Sequence, residues 1–200
     1  DAVVSAGNTG AAVAGATLRL GMLKGVKRPG IAISTPSLQG MSVVMDVGAN
    51  LNPSPNELLH YAIMASVYSK SIFKKRHPSI GLLNIGEEES KGNLLTQAVY
   101  KLLQESDSIN FIGNVEGRDI FTNKSDVIVC DGFTGNVVLK EAEGFYNMVK
   151  ARGIDDEYFN LFNFENYGGT PILGVKGNVV IGHGSSNETA VLNMILLISK

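Results

Sequence analysis

The sequence predicts a three-layer α/β/α fold built on a mostly parallel sheet. Three observations carry this. Short apolar runs rich in valine and isoleucine recur along the chain. Each is followed by a turn of glycine and small polar residues, and most of these turns open a stretch with helical periodicity. Hydrophobic residues make up 44% of the 200 residues and charged residues 18%, enough to fill a core and too apolar for disorder. With no fixed repeat, low-complexity tract or flexible linker, residues 1–200 read as a single α/β domain.

In chain order, a strand at Ala2–Ser5 runs into Gly7-Asn8-Thr9-Gly10. A small-residue helix follows over Ala11–Leu20, its alanines and glycines suited to close packing on a sheet. Lys24–Pro29 is a basic turn, Ile31–Ser34 a short strand, and Ser42–Val47 a buried strand ending in Asp46-Val47-Gly48-Ala49-Asn50. Pro53 and Pro55 precede a long helix, Asn56–Phe73. Strand Ile80–Ile85 leads through Gly86-Glu87-Glu88-Glu89-Ser90-Lys91-Gly92-Asn93 to a helix ending near Gln104. Strand Asn110–Ile112 leads to Gly113-Asn114-Val115-Glu116-Gly117. Strand Asp126–Cys130 leads to Asp131-Gly132-Phe133-Thr134-Gly135-Asn136 and a helix to Arg152. Tyr158–Tyr167 is an aromatic connection. Pro171–Val175 and Asn178–Ile181 form a hairpin about Lys176-Gly177, and Gly182-His183-Gly184-Ser185-Ser186-Asn187 opens a closing helix to Ser199. In a parallel sheet these loops share one edge, where such folds bind ligands.

Several classes are excluded or disfavoured. A net charge of −2 gives no reason to expect nucleic acid as a partner. The single cysteine, Cys130, forbids an internal disulfide and fits a reducing, cytoplasmic compartment. It ends a buried strand and reads as a small core residue rather than a nucleophile. No stretch approaches the roughly 18 apolar residues of a membrane span. The sequons at Asn123 and Asn187 carry no weight in a cytoplasmic protein, and no signal peptide opens the chain. The chain starts in mid-strand without methionine, so an N-terminal piece is expected to precede it. Gly182-x-Gly184-x-x-Asn187 lacks the third glycine of the dinucleotide fingerprint and no GxxxxGK[ST] occurs, so neither nicotinamide nor ATP is supported. No cofactor and no metal are expected. His60, His77 and His183 are scattered, and Glu87-Glu88-Glu89 reads as a solvated acidic turn.

The glycine loops carry the functional signal. A glycine-rich turn before a helix bares N–H groups at the positive end of the helix dipole, which suits a phosphate. Glycine also simply makes tight turns. Five such loops with asparagine, serine or threonine embedded point toward an anionic or polar ligand. Basic residues cluster at Lys24/Lys27/Arg28 and at Lys74/Lys75/Arg76, either as solvated helix ends or as docking points for an acidic partner.

Seven of these segments, in order, resemble the phosphate acyltransferases of bacterial phospholipid synthesis. They are Ser5-Ala-Gly-Asn-Thr-Gly-Ala11, Asp46-Val-Gly-Ala-Asn50, Gly81-Leu-Leu-Asn-Ile-Gly-Glu87 with Lys91-Gly92-Asn93, Asn110-Phe-Ile-Gly-Asn-Val-Glu-Gly-Arg118, Asp131-Gly-Phe-Thr-Gly-Asn-Val137, Gly168-Gly169 and Gly182-His-Gly-Ser-Ser-Asn187. The resemblance implies a homodimeric, cytoplasmic enzyme of the isocitrate dehydrogenase/phosphotransacetylase type, associated peripherally with the membrane. It implies transfer of a fatty acyl group from acyl carrier protein to inorganic phosphate. Two departures from the family stand out: its opening strand and Asp-Ala-Met-Gly-Gly-Asp segment are absent, and the stretch between Lys150 and Tyr167 is short where relatives carry amphipathic helices. Lipid binding is therefore expected to be weak, through Phe159, Phe162 and Phe164.

Phosphate is itself a nucleophile, so the chemistry needs a desolvated and aimed dianion, a stabilised oxyanion and a departing thiolate, not a covalent enzyme intermediate. The candidates are Lys91 and Asn136 as catalytic residues, with Asn8, Thr9, Asn114, Thr134, Ser185 and Ser186 binding phosphate or substrate. Lys74, Lys75 and Arg76 are the candidate carrier-protein dock. The structural alternatives are a salt bridge from Lys91 to Glu87–Glu89 and an N-cap by Asn136. A coenzyme A-dependent acetyl- or butyryltransferase shares this fold and chemistry, and a non-catalytic fragment that only dimerises or binds carrier protein is the alternative outside enzymes.

Overall fold

The computed structural model describes residues 1–163, 166–167, 169–184 and 186–199. Eight strands form one sheet: β1 (Ala2–Ser5), β2 (Gly30–Ser37), β3 (Gly40–Met45), β4 (Ser79–Asn84), β5 (Asn110–Glu116), β6 (Val127–Val129), β7 (Thr170–Leu173) and β8 (Asn178–Ile181). Six helices join them: α1 (Thr9–Leu20), α2 (Pro55–Phe73), α3 (Leu94–Gln104), α4 (Gly132–Ala151), the single turn α5 (Glu157–Asn160) and α6 (Glu188–Ile198). The strand order is β1-β8-β7-β2-β3-β6-β4-β5.

Side chains alternate across the pleat, and the two faces bury separate cores. Val43 and Met45 of β3, with Val127 and Val129 of β6, face Leu58, Tyr61, Ala62 and Ala65 of α2 and Val99 and Leu103 of α3. Val44 and Ile128, the residues between them, face the opposite way, toward Ala16 of α1 and Val138 and Leu139 of α4. This is the three-layer arrangement the sequence predicts. The pairs β1–β8, β3–β6, β4–β6 and β4–β5 are parallel, whereas β2–β3, β2–β7 and β7–β8 are antiparallel.

The antiparallel pairs correct one expectation. Because β2 reverses against both β3 and β7, strands β1, β2 and β8 run opposite to the other five. The glycine loops therefore leave two edges, not one. Residues 46–50, 86–93 and 131–136 lie where β3, β4 and β6 end. Residues 7–10, 182–184 and 186–187 lie at the opposite edge, where β1 and β8 end. Strand β5 also outruns its predicted end at Ile112. Gly113, at φ +98°, follows a register shift that leaves Ile112 unpaired, so this glycine makes a bulge and the strand continues.

Polar residues of the loops start the helices. The side-chain oxygens of Asn8, Asn93, Asp131 and Asn187 accept from the amides of Ala11 (2.9 Å), Thr96 (2.9 Å), Thr134 (2.8 Å) and Ala190 (3.0 Å). Helix α2 instead uses Pro55 in its first turn and Glu57, whose Oε2 accepts from the Ser54 amide at 2.7 Å.

Candidate active site

Helix α1 packs over β8 and α4 over β3 on the same face. Between them β2 floors a groove of about 630 Å³. One wall is the start of α1, Gly7, Asn8 and Thr9. The other is α4, through Asn136, Leu139, Lys140, Ala142 and Glu143. Val47 and Gly48 close the end where β3 stops. Gly182, His183 and Gly184 lie toward the other edge, with Leu161, Phe162 and Tyr167. Phe162 stacks edge-on against Phe121, with ring centroids 5.3 Å apart, and the Phe121 carbonyl accepts from the Leu38 amide beside the β2–β3 turn.

The end at Val47 is built around Asp46, which is fully buried. Its carboxylate accepts from the amides of Ile31 (3.0 Å), Ala49 (3.1 Å) and Asn50 (2.7 Å). Burial raises this carboxyl above the usual range, and the amide hydrogen bonds offset only part of that rise. Helix α4 docks on this loop through glycines. A Cβ on Gly135 would fall 1.9 Å from the Asp46 carbonyl oxygen, and one on Gly132 2.6 Å from that of Asn50. The close approach delivers Asn136 to the groove, where its Nδ2 donates to the Val47 carbonyl at 3.3 Å. The Cys130 thiol is buried behind it, donating to the Asp46 carbonyl at 3.5 Å. Burial and the neighbouring Asp131 and Asp46 carboxylates push it well above its ordinary value.

Of the residues picked out from sequence, Asn8, Thr9 and Asn136 line this groove. The capping of α4 falls to Asp131, which also accepts from the Thr134 hydroxyl at 2.7 Å, so Thr134 is turned to its own helix start. Asn114 is buried beside β4 and donates from Nδ2 to the Glu88 carbonyl at 2.9 Å, holding the acidic turn. Lys91 lies outside the groove, exposed on the loop after β4, with its carbonyl accepting from Asn84 Nδ2 at 3.2 Å. Since β4 and β6 are adjacent and parallel, the Lys91 and Asn136 loops do leave the same edge. It is Lys124 that pairs with Glu87 and with Asp119. Ser186 follows the groove residue Gly184, with its Oγ against Gly182, while Ser185 lies outside the described residues.

The basic cluster sits before β4, at the opposite edge from Lys91 and Asn136. Lys74 Nζ donates to the Ser71 carbonyl at 2.7 Å, and Lys75 Nζ lies 2.9 Å from Asp126 Oδ1. Phe159 and Phe162 are drawn into an aromatic cluster with Phe145, Tyr158 and Phe121, and Phe164 lies outside the described residues. Among the described residues no helix is long and apolar enough to cross a membrane.

Sequence reasoning missed Lys140, the one lysine or arginine among the described residues lining the groove. Its Nζ lies 2.8 Å from Glu143 Oε2, also on the wall. Helical spacing holds the signal, because Lys140 is one turn beyond Asn136 and shares its face.

The comparisons with known proteins agree with this architecture. Residues 1–157 match the family model described as "Fatty acid synthesis protein". A phosphate acyltransferase of Halothermothrix orenii is 47% identical over 97% of this chain and 64% of its own length. One from Syntrophomonas wolfei is 46% identical over 96% and 62%. This chain thus spans less than two thirds of the length of these relatives. The first alignment runs over 214 residues, more than this chain's 200, so that relative has residues inside the matched span with no counterpart here. Among solved structures, a phosphotransacetylase from Staphylococcus aureus superposes with a TM-score of 0.66 at 16% identity, covering 100% of this chain and 62% of its own. A branched-chain phosphotransacylase from Enterococcus faecalis gives 0.58 at 16% identity, covering 89% and 64%, and with the first it shows the shared fold. The relatives and the family model together place this chain in the phosphate acyltransferase family.

Proposed function

We propose that the protein transfers a fatty acyl group from the thioester of acyl carrier protein to inorganic phosphate, releasing acyl phosphate and the carrier thiol. One observation carries this beyond family membership. The groove brings the polar Asn136 and Lys140 of one wall together with apolar side chains, Ile31, Ile33 and Pro36 of β2, Leu139 and Ala142 of α4, and Leu161 and Phe162. That suits a reaction between an anion and a fatty thioester. Phosphate oxygen attacks the thioester carbon, the tetrahedral oxyanion collapses, and the thiolate leaves. A free thiol has a pKa near 8.5, so departure needs little assistance. Positioning and charge stabilisation do the rest.

In this reading Lys91 and Asn136 serve the reacting centre from adjacent loops, Lys140 supplies positive charge inside the groove, and Asn8, Thr9 and Ser186 contact substrate. Removing one such donor typically costs ~10²–10³ in turnover. Lys91→Ala and Asn136→Ala should each lose most acyl phosphate formation with palmitoyl-carrier protein while melting like the parent. Near-normal turnover of either variant at saturating phosphate removes that residue from the mechanism.

The carrier is acidic in this proposal and docks at the Lys74–Arg76 cluster. Because Lys75 is tied to Asp126, the cleaner test reverses Lys74 and Arg76 alone. Weaker carrier binding at low salt, converging with the parent as salt rises, is the expected result. We also place the protein in the cytoplasm as a homodimer. Exposed apolar side chains on α4, Phe133, Val137 and Met148, support a partner surface there. The phosphotransacetylase fold keeps a coenzyme A-dependent short-chain reaction as the second reading. Acyl phosphate release from palmitoyl-carrier protein against acetyl-coenzyme A separates the two, and release from neither marks a chain that only binds.

A further inference from the structure

The groove is longer than the reacting groups require, and a file of apolar side chains runs along it beside the polar Asn8, Thr9, Ser34, Thr35 and Thr170. Ile31 and Ile33 start the floor near Val47 and Pro36 continues it, Leu139 and Ala142 stand on one wall, and Leu161 and Phe162 lie toward the end away from Val47. From Ile31 to Pro36 the floor extends about 16 Å at the usual strand rise. Phe162 is braced against Phe121 at 5.3 Å and Tyr158 at 5.7 Å, so that wall is fixed by packing.

We propose that this stretch is the seat of the acyl chain, with Ala142 keeping it open and Phe162 ending it. The proposal rests on the functional reading above, which puts the thioester at Asn136. Extended hydrocarbon advances about 1.25 Å per methylene, given C–C bonds of about 1.5 Å. The floor then holds on the order of a dozen methylenes before Phe162. Ala142 stands six residues beyond Asn136 on α4, about 9 Å along the helix axis, or about seven methylenes into the chain. A methyl group at that point leaves the path clear, and Glu143 beside it is held by Lys140. A large side chain at position 142 would block the path halfway.

The geometry therefore sets a chain-length ruler with two marks. Binding of octanoate, laurate and myristate to this chain, measured by titration calorimetry, should tighten about fourfold per added methylene until the groove is full. Ala142→Phe should leave octanoate affinity within about threefold of the parent and erase the gain from octanoate to laurate. Phe162→Ala should act in the other direction and carry the gain on to chains longer than myristate. It stands as the independent test should Ala142→Phe fail to fold. The same variants should shift acyl phosphate formation among octanoyl-, lauroyl- and palmitoyl-carrier protein, with the KM for phosphate unchanged.

The proposal falls if the parent shows no dependence on chain length, or if both variants keep the parental profile. The outcomes separate it from the function it rests on. A ruler that moves in the binding titrations of a protein forming no acyl phosphate from any thioester keeps the seat and overturns the transferase reading. Acyl phosphate formation with a profile indifferent to both variants does the reverse.

Discussion

Asn136 and Lys140 stand a turn apart on one face of α4, yet only the first is visible from sequence, because it belongs to a glycine-rich segment and the second to an ordinary helical stretch. Lys140 faces Glu143 across 2.8 Å on the groove wall. A phosphate dianion entering the groove meets this pair first as a competitor of Glu143. Loss of a charge-assisted contact costs about 1.5–3 kcal/mol. Lys140→Ala should therefore raise the KM for phosphate about 10–100-fold with a smaller change in kcat, and Lys140→Arg should recover much of it. Steady-state titration of phosphate at saturating thioester measures this, and an unchanged KM removes Lys140 from the anion site. Thr134 and Asn114 show the converse. Their residue types suit an anion, but Asp131 takes the Thr134 hydroxyl and the Glu88 carbonyl takes the Asn114 amide. A loop that starts a helix must satisfy its own amides before it offers any to a ligand. Sequence shows which polar groups a loop owns, not which are already engaged.

At the scale of elements, α4 carries two kinds of glycine. Gly135 presses on the backbone of the Asp46 loop, where an added Cβ would sit 1.9 Å from a carbonyl oxygen. Gly144, about two and a half turns on, has open space in the Cβ direction. Gly135→Ala should cost about 1–3 kcal/mol or more through overpacking and push Asn136 out of place, so turnover falls with stability. Gly144→Ala should stabilise the helix by about 0.5–1 kcal/mol. Urea melts of the two variants check the pair, and equal effects would refute the packing account. Element type and order were legible because each strand is a short apolar run and each helix opens on a capping residue. Strand direction was not. A glycine-polar loop reads the same whether its strand runs with its neighbours or against them, and only the pairing of β2 with β3 and β7 decides it. Gly113 likewise looked like a strand end, although a bulge and a stop share the same residue.

For the whole molecule, carboxylates tie distant segments together. Asp126 joins Lys75 and Ser79. Burial raises its pKa, but the Lys75 and Ser79 hydrogen bonds outweigh this and hold it below the ordinary value. Asp119, bonded to the Glu116 amide and Lys124, and Glu57, bonded to Ser54 with Arg28 nearby, are lowered in the same way against burial. Each of these favours the folded state while ionised. Their contribution is complete above the unfolded values of about 3.9 for Asp and 4.3 for Glu, and it is lost as pH falls through and below them. Asp46, raised by burial, opposes this trend. Melting temperature should therefore fall steeply below about pH 4, and Asp126→Asn should flatten that fall. A variant with the parent's full acid sensitivity would show that Asp126 has no part in it.

The pairing of β1 with β8 reaches from Ala2 to Asn178, nearly the length of this chain. A growing polypeptide therefore carries β1 for almost the whole of this span before β8 exists. The intervening elements have nearer partners, whereas β1 waits with its backbone groups unpaired by β8. Closing so long a loop is entropically costly and slow. Within this span the strand made earliest is then the last to be paired. Amides of β1 should be the latest to gain protection in pulse-labelled refolding, and protection there ahead of β3 and β6 would overturn that order.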